Sequence, residues 1–115
     1  MNRVAIVTGG ADGIGWATAQ RLARDGGTRV VIADLRAPQA GERAAQLGAG
    51  HLGLGCDVTR EDEVIGLVRA VLARCGRIDV LVNNAGIGDQ AGATLAQDVA
   101  AFDRVLGVHL RGSFL

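Results

Sequence analysis

Thr8-Gly9-Gly10-Ala11-Asp12-Gly13-Ile14-Gly15 is the stretch that decides the fold. It follows the short apolar run 4–7 and precedes an amphipathic segment that reaches about Asp25. A buried strand, a glycine turn and a helix in this order predict an anion site, because glycine lets the backbone approach a ligand closely. The start of the helix then offers unpaired N–H groups and the positive end of its dipole. We therefore expect a nucleotide diphosphate to bind over Gly9–Gly15.

The spacing of the glycines narrows the class of site. Gly9, Gly13 and Gly15 give G-x-x-x-G-x-G, whereas the common dinucleotide fingerprint G-x-G-x-x-G would need a third glycine where Thr18 stands. A P-loop is excluded, because no Gly-Lys-Ser/Thr follows and the chain contains no lysine. Taken alone, the stretch is also compatible with an ordinary strand-to-helix turn that binds nothing.

The composition of the chain fits a single globular domain. It has 115 residues, 49% of them hydrophobic, and a formal net charge of zero, which gives no sign of a nucleic-acid partner. No apolar run reaches transmembrane length and no signal peptide precedes the first strand, so we expect no membrane partner. Cys56 and Cys75 fit no metal spacing, so we expect two reduced thiols, no metal site and a cytoplasmic protein.

Short apolar runs alternate with amphipathic segments along the rest of the chain. Strands are predicted at 3–7, 30–33, 51–56 and 78–82, and helices at about 13–25, at 38–47, from a Thr59 cap to Gly76, near 98–106 and from about 108. A polar loop is expected over about 88–94. The apolar face of the third helix is predicted to comprise Val64, Leu67, Val68, Val71 and Leu72.

This alternation predicts an α/β fold, a Rossmann-type parallel sheet of order 3-2-1-4 with helices on both faces. Asp34 ends the second strand, close to the distance of about 20 residues at which an acid meets the ribose hydroxyls of NAD. A solvated turn residue or a cap of the next helix is the alternative for Asp34. His51 is expected in a loop or at a strand edge rather than as a metal ligand, because no partner is suitably spaced.

Taken together, the motifs resemble the short-chain dehydrogenase/reductase family. The stretch 8–15, Asp34, Asp57-Val58, the segment 83–86 (Asn-Asn-Ala-Gly) and the segment 110–114 follow one another in the family's order. The resemblance implies a nicotinamide cofactor, hydride transfer to or from an alcohol or carbonyl substrate, and a homodimer or homotetramer. The cofactor-binding residues that it implies are Gly9, Gly13, Ile14, Gly15, Asp34, Leu35, Asp57, Val58, Asn84, Ala85 and Gly86.

The acidic residues of this set predict which cofactor binds. Asp34 can accept charge-assisted hydrogen bonds from the ribose hydroxyls, whereas a 2′-phosphate would lose them and meet a like charge. Asp12 adds to the negative field, so NAD is predicted to bind in preference to NADP. Arg36 is the residue that could instead approach a phosphate.

Two departures from the family pattern stand out. His109 occupies the position of the family's catalytic Asn, where it is either part of a proton relay or a packing residue. The family's Tyr-x-x-x-Lys pair is absent, since the chain has no tyrosine or lysine, and Ser113 does not correspond to the catalytic Ser. We therefore expect residues 1–115 to be the NAD-binding, N-terminal part of a longer dehydrogenase, truncated before the later strands and, alone, inactive and prone to aggregate.

Two other classes of protein remain open at this point. One is a complete, non-catalytic dinucleotide-binding or regulatory module. The other is a methyltransferase-like fold, which also places an acid after the second strand to bind a ribose but has different glycine spacing.

Overall fold

A four-stranded parallel sheet of order β3-β2-β1-β4 forms the centre of the molecule. The structure is a computed structural model that describes residues 2–86 and 99–114. Its strands are β1 (Arg3–Thr8), β2 (Thr28–Asp34), β3 (Leu52–Gly55) and β4 (Val80–Val82). Its helices are α1 (Gly13–Arg24), α2 (Ala37–Leu47), α3 (Glu61–Cys75), α4 (Val99–Leu106), a π-helical turn (Gly107–Arg111) and α5 (Gly112–Phe114). The predicted fold class and strand order are therefore confirmed.

The central pair β1–β2 carries most of the core. Its register runs from Arg3 opposite Thr28 to Thr8 opposite Ala33, and residues 4–8 and 30–34 are all buried. Alternate residues of each strand face opposite sides of the sheet, which gives two hydrophobic clusters. One cluster joins Val4, Ile6, Val31 and Ala33 to Leu67 and Val71 of α3, and the other joins Val7, Val30 and Ile32 to Ala19 of α1 and Ala40 of α2. Helices thus cover both faces.

The fourth strand is shorter than the pattern of apolar residues indicates. A strand over 78–82 is predicted, but β4 begins at Val80. The Asp79 carboxylate accepts a hydrogen bond from the Val4 N–H (2.8 Å). This N–H is therefore not available to a backbone carbonyl of the fourth strand, as it would be if the pairing of β4 with β1 extended further. The Asp79 N–H still donates to the Val4 carbonyl oxygen (2.8 Å), which keeps this end of β4 against β1.

The two ends of α3 test two predictions. Gly76 adopts the left-handed conformation (φ 78°) and its N–H donates to the Leu72 carbonyl oxygen (2.9 Å), as expected of the residue that ends the helix. The predicted cap at Thr59 is wrong: α3 begins at Glu61 and Arg60 is the N-cap residue. The Thr59 N–H and hydroxyl donate instead to the Asp57 carboxylate, which closes a local turn before the helix.

The apolar face of α3 is narrower than predicted. Leu67 and Val71 are buried and Val64 packs against the same cluster, whereas Val68 and Leu72 are 37% and 45% exposed. The predicted apolar face of α3 is therefore buried only in part, and Val68 and Leu72 lie at its exposed edge. The residues of α3 that pack against the core cluster of β1 and β2 are Val64, Leu67, Val71 and Cys75.

The last described segment is one continuous helical run rather than two helices. Leu106 and Gly112, which flank the π-helical turn, both have right-handed helical backbone angles. The prediction of a separate helix from about residue 108 is therefore wrong, because Gly107 is accommodated within a wider turn of the helix instead of ending it. The loop predicted over about 88–94 lies outside the described residues. Within the part of the chain that the structure describes, no helix is long and apolar enough to cross a membrane.

His51 gives the fold a measurable pH dependence. It lies immediately before β3, at the strand edge as predicted, and its Nδ1 accepts a hydrogen bond from the Val30 N–H (3.0 Å). Burial, and secondarily the nearby Arg29 guanidinium, lowers the pKa of His51 below its ordinary value. The native state therefore disfavours the protonated ring, which could not accept the hydrogen bond if Nδ1 carried a proton.

We expect the free energy of unfolding to fall as the pH drops from about 6.5 towards the lowered pKa of the native state. Above the unfolded pKa the contribution of the neutral ring is fully present, because the unfolded chain then binds no extra proton. Urea denaturation across this range should show the loss in the wild type and a smaller slope in His51→Leu. An unchanged slope in His51→Leu would contradict this explanation, and His109→Asn is the control for the other histidine.

Candidate functional site

An open cleft of about 410 Å³ lies at the carboxyl ends of β1, β2 and β4. Nine of the predicted cofactor-binding residues line it: Gly9, Gly13, Asp34, Leu35, Asp57, Val58, Asn84, Ala85 and Gly86. Ile14 and Gly15, which were also predicted, do not line it. Asp12, Ala33, Arg36, Cys56 and Val108 complete the lining. Of these, Cys56 and Val108 had no motif that could have identified them.

The glycines of the stretch 8–15 serve different purposes. Gly9 and Gly13 have positive φ values of 65° and 54°, which residues with a Cβ atom rarely adopt. A Cβ on Gly13 would meet no protein atom within 4 Å, so this side of the turn is open at the cleft. Gly15 is buried, and a Cβ there would collide with the Gly9 carbonyl oxygen and the Asn84 side-chain amide. Gly15 thus shapes the turn from beneath, which explains its absence from the lining.

Helix α1 begins at this turn with its positive end towards the cleft residues. The Asp12 carboxylate accepts a hydrogen bond from the Gly13 N–H (2.9 Å) and caps the helix. The first turn of α1 carries no acidic side chain, so no other carboxylate within it offsets the positive end of the dipole. Ile14, the second residue of the helix, is 80% exposed.

Asp34 ends β2 at the wall of the cleft, where its residue is only 8% exposed. One carboxylate oxygen accepts from the Ala11 N–H (3.2 Å), and the other accepts from the Arg36 N–H (3.1 Å). Arg36 is the N-cap residue of α2, so Asp34 is a turn residue and does not cap that helix. The Arg36 Nε also lies 3.5 Å from the oxygen that accepts from the Arg36 N–H. The other oxygen, which accepts from the Ala11 N–H, is the one that retains capacity for a hydroxyl in the cleft.

The segment after β3 forms the opposite wall. Hydrogen bonds from the Thr59 hydroxyl (2.6 Å) and the Thr59 N–H (3.0 Å) hold the pKa of the Asp57 carboxyl below its usual range. Burial, with the carboxylates of Glu63 and Asp57 nearby, raises the pKa of the Cys56 thiol to about 11. Asp57 therefore supplies an ionised acceptor at neutral pH, while Cys56 stays a neutral and unreactive thiol.

Thr8 ties the segment 83–86 to the end of β1. Its hydroxyl donates to the Val82 carbonyl oxygen (3.2 Å) and accepts from the N–H groups of Asn84 and Ala85 (3.0 Å each). The Asn84 side-chain amide donates to the Gly9 carbonyl oxygen (3.3 Å). These contacts place two sequence motifs side by side, as the strand order predicts. Thr8 was part of the predicted stretch but was not itself predicted as a site residue.

His109 lies in the π-helical turn Gly107–Arg111, but its side chain falls outside the described part of the structure. Its neighbour Val108 lines the cleft, so this turn adjoins the site. The predicted roles of His109 in proton transfer or packing therefore stay predictions.

The donor set of the cleft fits a dinucleotide. A positive helix end and an open glycine turn suit a diphosphate, and the buried carboxylate of Asp34 suits a diol. The exposed side chain of Leu35 adds an apolar surface at the mouth.

Comparison with known proteins gives a consistent result. A family model described as short chain dehydrogenase matches residues 3–115. Tropinone reductase-like 2 of Erythroxylum coca is 43% identical over 116 residues, covering 98% of this chain and 42% of the relative. The (+)-borneol dehydrogenase 1 of Salvia officinalis is 42% identical over 114 residues, covering 98% of this chain and 44% of the relative.

A solved structure extends the comparison to three dimensions. The crystal structure of 3-ketoacyl-(acyl-carrier-protein) reductase from Brucella melitensis, complexed with NADH, superposes with a TM-score of 0.94 at 38% sequence identity. The match covers 98% of this chain and 46% of that chain. The chain thus spans less than half the length of the relatives that it matches.

Proposed function

The chain belongs to the short-chain dehydrogenase family, and we propose that it is the cofactor-binding part of an NAD-dependent oxidoreductase. In this proposal residues 1–115 form the N-terminal NAD-binding domain of a longer enzyme. That enzyme would transfer a hydride between the cofactor and an alcohol or carbonyl substrate. When bound, a nicotinamide cofactor supplies or accepts the hydride; the residues described here bind and orient it.

The observation that carries the proposal is the placement of an open glycine turn and a buried carboxylate on one cleft. Gly13 leaves space at the start of α1, while Asp34 presents its carboxylate from the end of β2. The diphosphate would lie at the glycine turn and the adenosine ribose at Asp34, with the adenine between Leu35 and the Asp57–Val58 segment. Membership of the family leaves the methyltransferase-like alternative without support.

Arg36 also favours NAD in this arrangement. Its Nε lies 3.5 Å from a carboxylate oxygen of Asp34, so the guanidinium is drawn towards that acid rather than left free for a phosphate. The side chain is half exposed and the pair is long, so the carboxylate of Asp34 contributes most of the predicted preference.

The catalytic part of the proposal concerns residues outside this chain. No tyrosine or lysine is present in residues 1–115, so we infer that a polypeptide of these residues alone shows no turnover. A role of His109 in a proton relay, a homo-oligomeric assembly and a cytoplasmic location belong to the same proposal. A non-catalytic dinucleotide-binding module is the second candidate, since the groups that line the cleft suit the binding of a dinucleotide.

Two measurements on one pair of proteins test the proposed function. The complete protein and residues 1–115 are each titrated with NADH by calorimetry and assayed with a panel of alcohols and ketones. We expect the complete protein to bind NADH and turn over, and residues 1–115 to show no turnover. NADH binding by the complete protein without turnover of any substrate would favour the binding module. Absence of NADH binding by the complete protein would overturn the proposal.

A further inference from the structure

The side chain of Arg43 connects α2 to the glycine turn. Arg43 lies in α2, well away from the turn in sequence, and its Nε donates to the Ala11 carbonyl oxygen (3.0 Å). Its Nη1 donates to the Gln46 side chain (3.1 Å), and its guanidinium carbon lies 4.7 Å from the centroid of the Trp16 ring. Arg43 does not line the cleft, so any effect on a ligand must act through the turn.

The contact matters because Ala11 is held from both sides. The Ala11 N–H donates to the Asp34 carboxylate (3.2 Å), while its carbonyl accepts from Arg43. Ala11 itself is buried (3% exposed), and Asp12, the cap of α1, follows it directly. The backbone of Ala11, in the middle of the turn, is therefore held by one residue at the end of β2 and one residue of α2.

Trp16 fixes the direction of the guanidinium. A guanidinium over an indole face is attracted by the ring, and its planar fork can bond two acceptors while it is stacked. The Arg43 fork does this with Ala11 and Gln46, and Trp16 belongs to the same helix that the turn begins. A lysine at this position would keep the charge but lose the fork and the stacking geometry.

We propose that Arg43 is a positioning residue that holds the glycine turn in its diphosphate-binding conformation, with Trp16 orienting its guanidinium. The inference rests on the proposed function, since it concerns the affinity of the same cleft for a dinucleotide. It adds a residue that the glycine and acid motifs do not contain. Without Arg43 the turn keeps its glycines and the contact with Asp34, but the backbone of Ala11 loses one of its two hydrogen bonds. Part of the binding free energy of the ligand must then be used to order the turn.

The test uses the complete protein and the substitution Arg43→Met, which keeps an unbranched apolar stem beside Trp16 and removes the charge and donors. We expect NADH to bind about tenfold more weakly, equivalent to about 1.4 kcal/mol. Arg21→Met is the matched control: the Arg21 side chain is exposed near the C-terminal end of α1 and pairs with Asp25 (2.9 Å), away from the turn. The control should bind NADH as the wild type does. Arg43→Lys should lie between Arg43→Met and the wild type.

Two further readouts separate positioning from general stability. Trp16 is the only tryptophan in residues 1–115. In a variant of the complete protein whose other tryptophans, if any, are replaced by phenylalanine, its emission should change in Arg43→Met and not in Arg21→Met. Amide hydrogen exchange at Ala11 should accelerate in Arg43→Met while exchange at Val31 and Ile32, in the core of β2, stays unchanged.

The outcomes distinguish this inference from the proposed function. Equal NADH affinity in Arg43→Met and the wild type would overturn the role of Arg43 and leave the proposed function intact. A uniform acceleration of exchange in the turn and in β2 would also overturn it, because Arg43 would then act on overall stability. If the wild type does not bind NADH, the proposed function fails. Amide exchange at Ala11 tests the role of Arg43 independently of any ligand, and an unchanged rate in Arg43→Met would overturn that role.

Discussion

The complete protein should bind NAD about a hundredfold more tightly than NADP, and Asp34→Asn should remove most of that difference. A hydrogen bond to a charged group contributes roughly 1.5–3 kcal/mol, so the loss of about 3 kcal/mol with NADP corresponds to a hundredfold change in affinity. Asn is the informative substitution, because its amide oxygen can still accept from the Ala11 N–H that Asp34 binds (3.2 Å). The hydrogen bond to the glycine turn is then preserved, while the negative charge and the acceptor of the Arg36 N–H are lost.

Calorimetric titration of both cofactors against both proteins measures this prediction. Asp12→Asn is the matched control, since it removes one carboxylate from the same cleft and leaves an equally good helix cap. We expect the control to change the ratio of the two affinities far less than Asp34→Asn does. Equal affinities of the wild type for NAD and NADP would contradict the role given to Asp34.

Gly15→Ala should lower both the stability of the protein and its affinity for NADH. The added Cβ would collide with the Gly9 carbonyl oxygen and the Asn84 amide, which are hydrogen-bonded to each other (3.3 Å). Overpacking of this kind costs about 1–3 kcal/mol, and backbone cannot move aside as a flexible side chain can. Because the displaced atoms support the cleft, we expect a lower melting temperature together with at least a tenfold loss of NADH affinity.

Gly66→Ala supplies the opposite expectation for the same chemical change. Gly66 lies within α3, and a Cβ there would meet nothing within 4 Å. Alanine is favoured over glycine in a helix by about 0.8–1 kcal/mol, so this variant should be slightly more stable and bind NADH normally. Thermal denaturation and NADH titration compare the melting temperatures and NADH affinities of the two variants with those of the wild type. A Gly15→Ala protein with wild-type affinity would refute the packing argument.

The parts of the fold that the sequence predicts well are those that depend on local patterns. The continuous apolar runs of β1 and β2 and the left-handed stop at Gly76 follow from side-chain type and backbone freedom at single positions. The strand order follows from alternating strands and helices together with the handedness of their connections. Nine residues predicted for the cofactor do meet at one cleft, because parallel strands end at the same edge.

The features of the fold that the sequence predicts badly are those that depend on tertiary contacts. Thr59 has the right chemistry for a helix cap, but it forms a turn with the Asp57 carboxylate, and α3 begins at Glu61 with Arg60 as its N-cap residue. Val68 and Leu72 follow the helical period, yet their burial depends on how wide a sheet α3 covers. The contact between Arg43 and Ala11 has no local signature, since an arginine on an amphipathic helix is ordinarily a solvated residue.

The hydroxyl of Thr8 has a consequence for the order of folding. Its hydrogen bonds join residues 74, 76 and 77 positions apart, whereas the bond from Ala11 to Asp34 spans 23. Contacts between distant residues form only after the chain entropy of closing the intervening loop has been offset. The two walls of the cleft therefore differ in contact order: the glycine turn and the acid belong to one βαβ unit, while the Asn84 wall is completed only when β4 docks on β1.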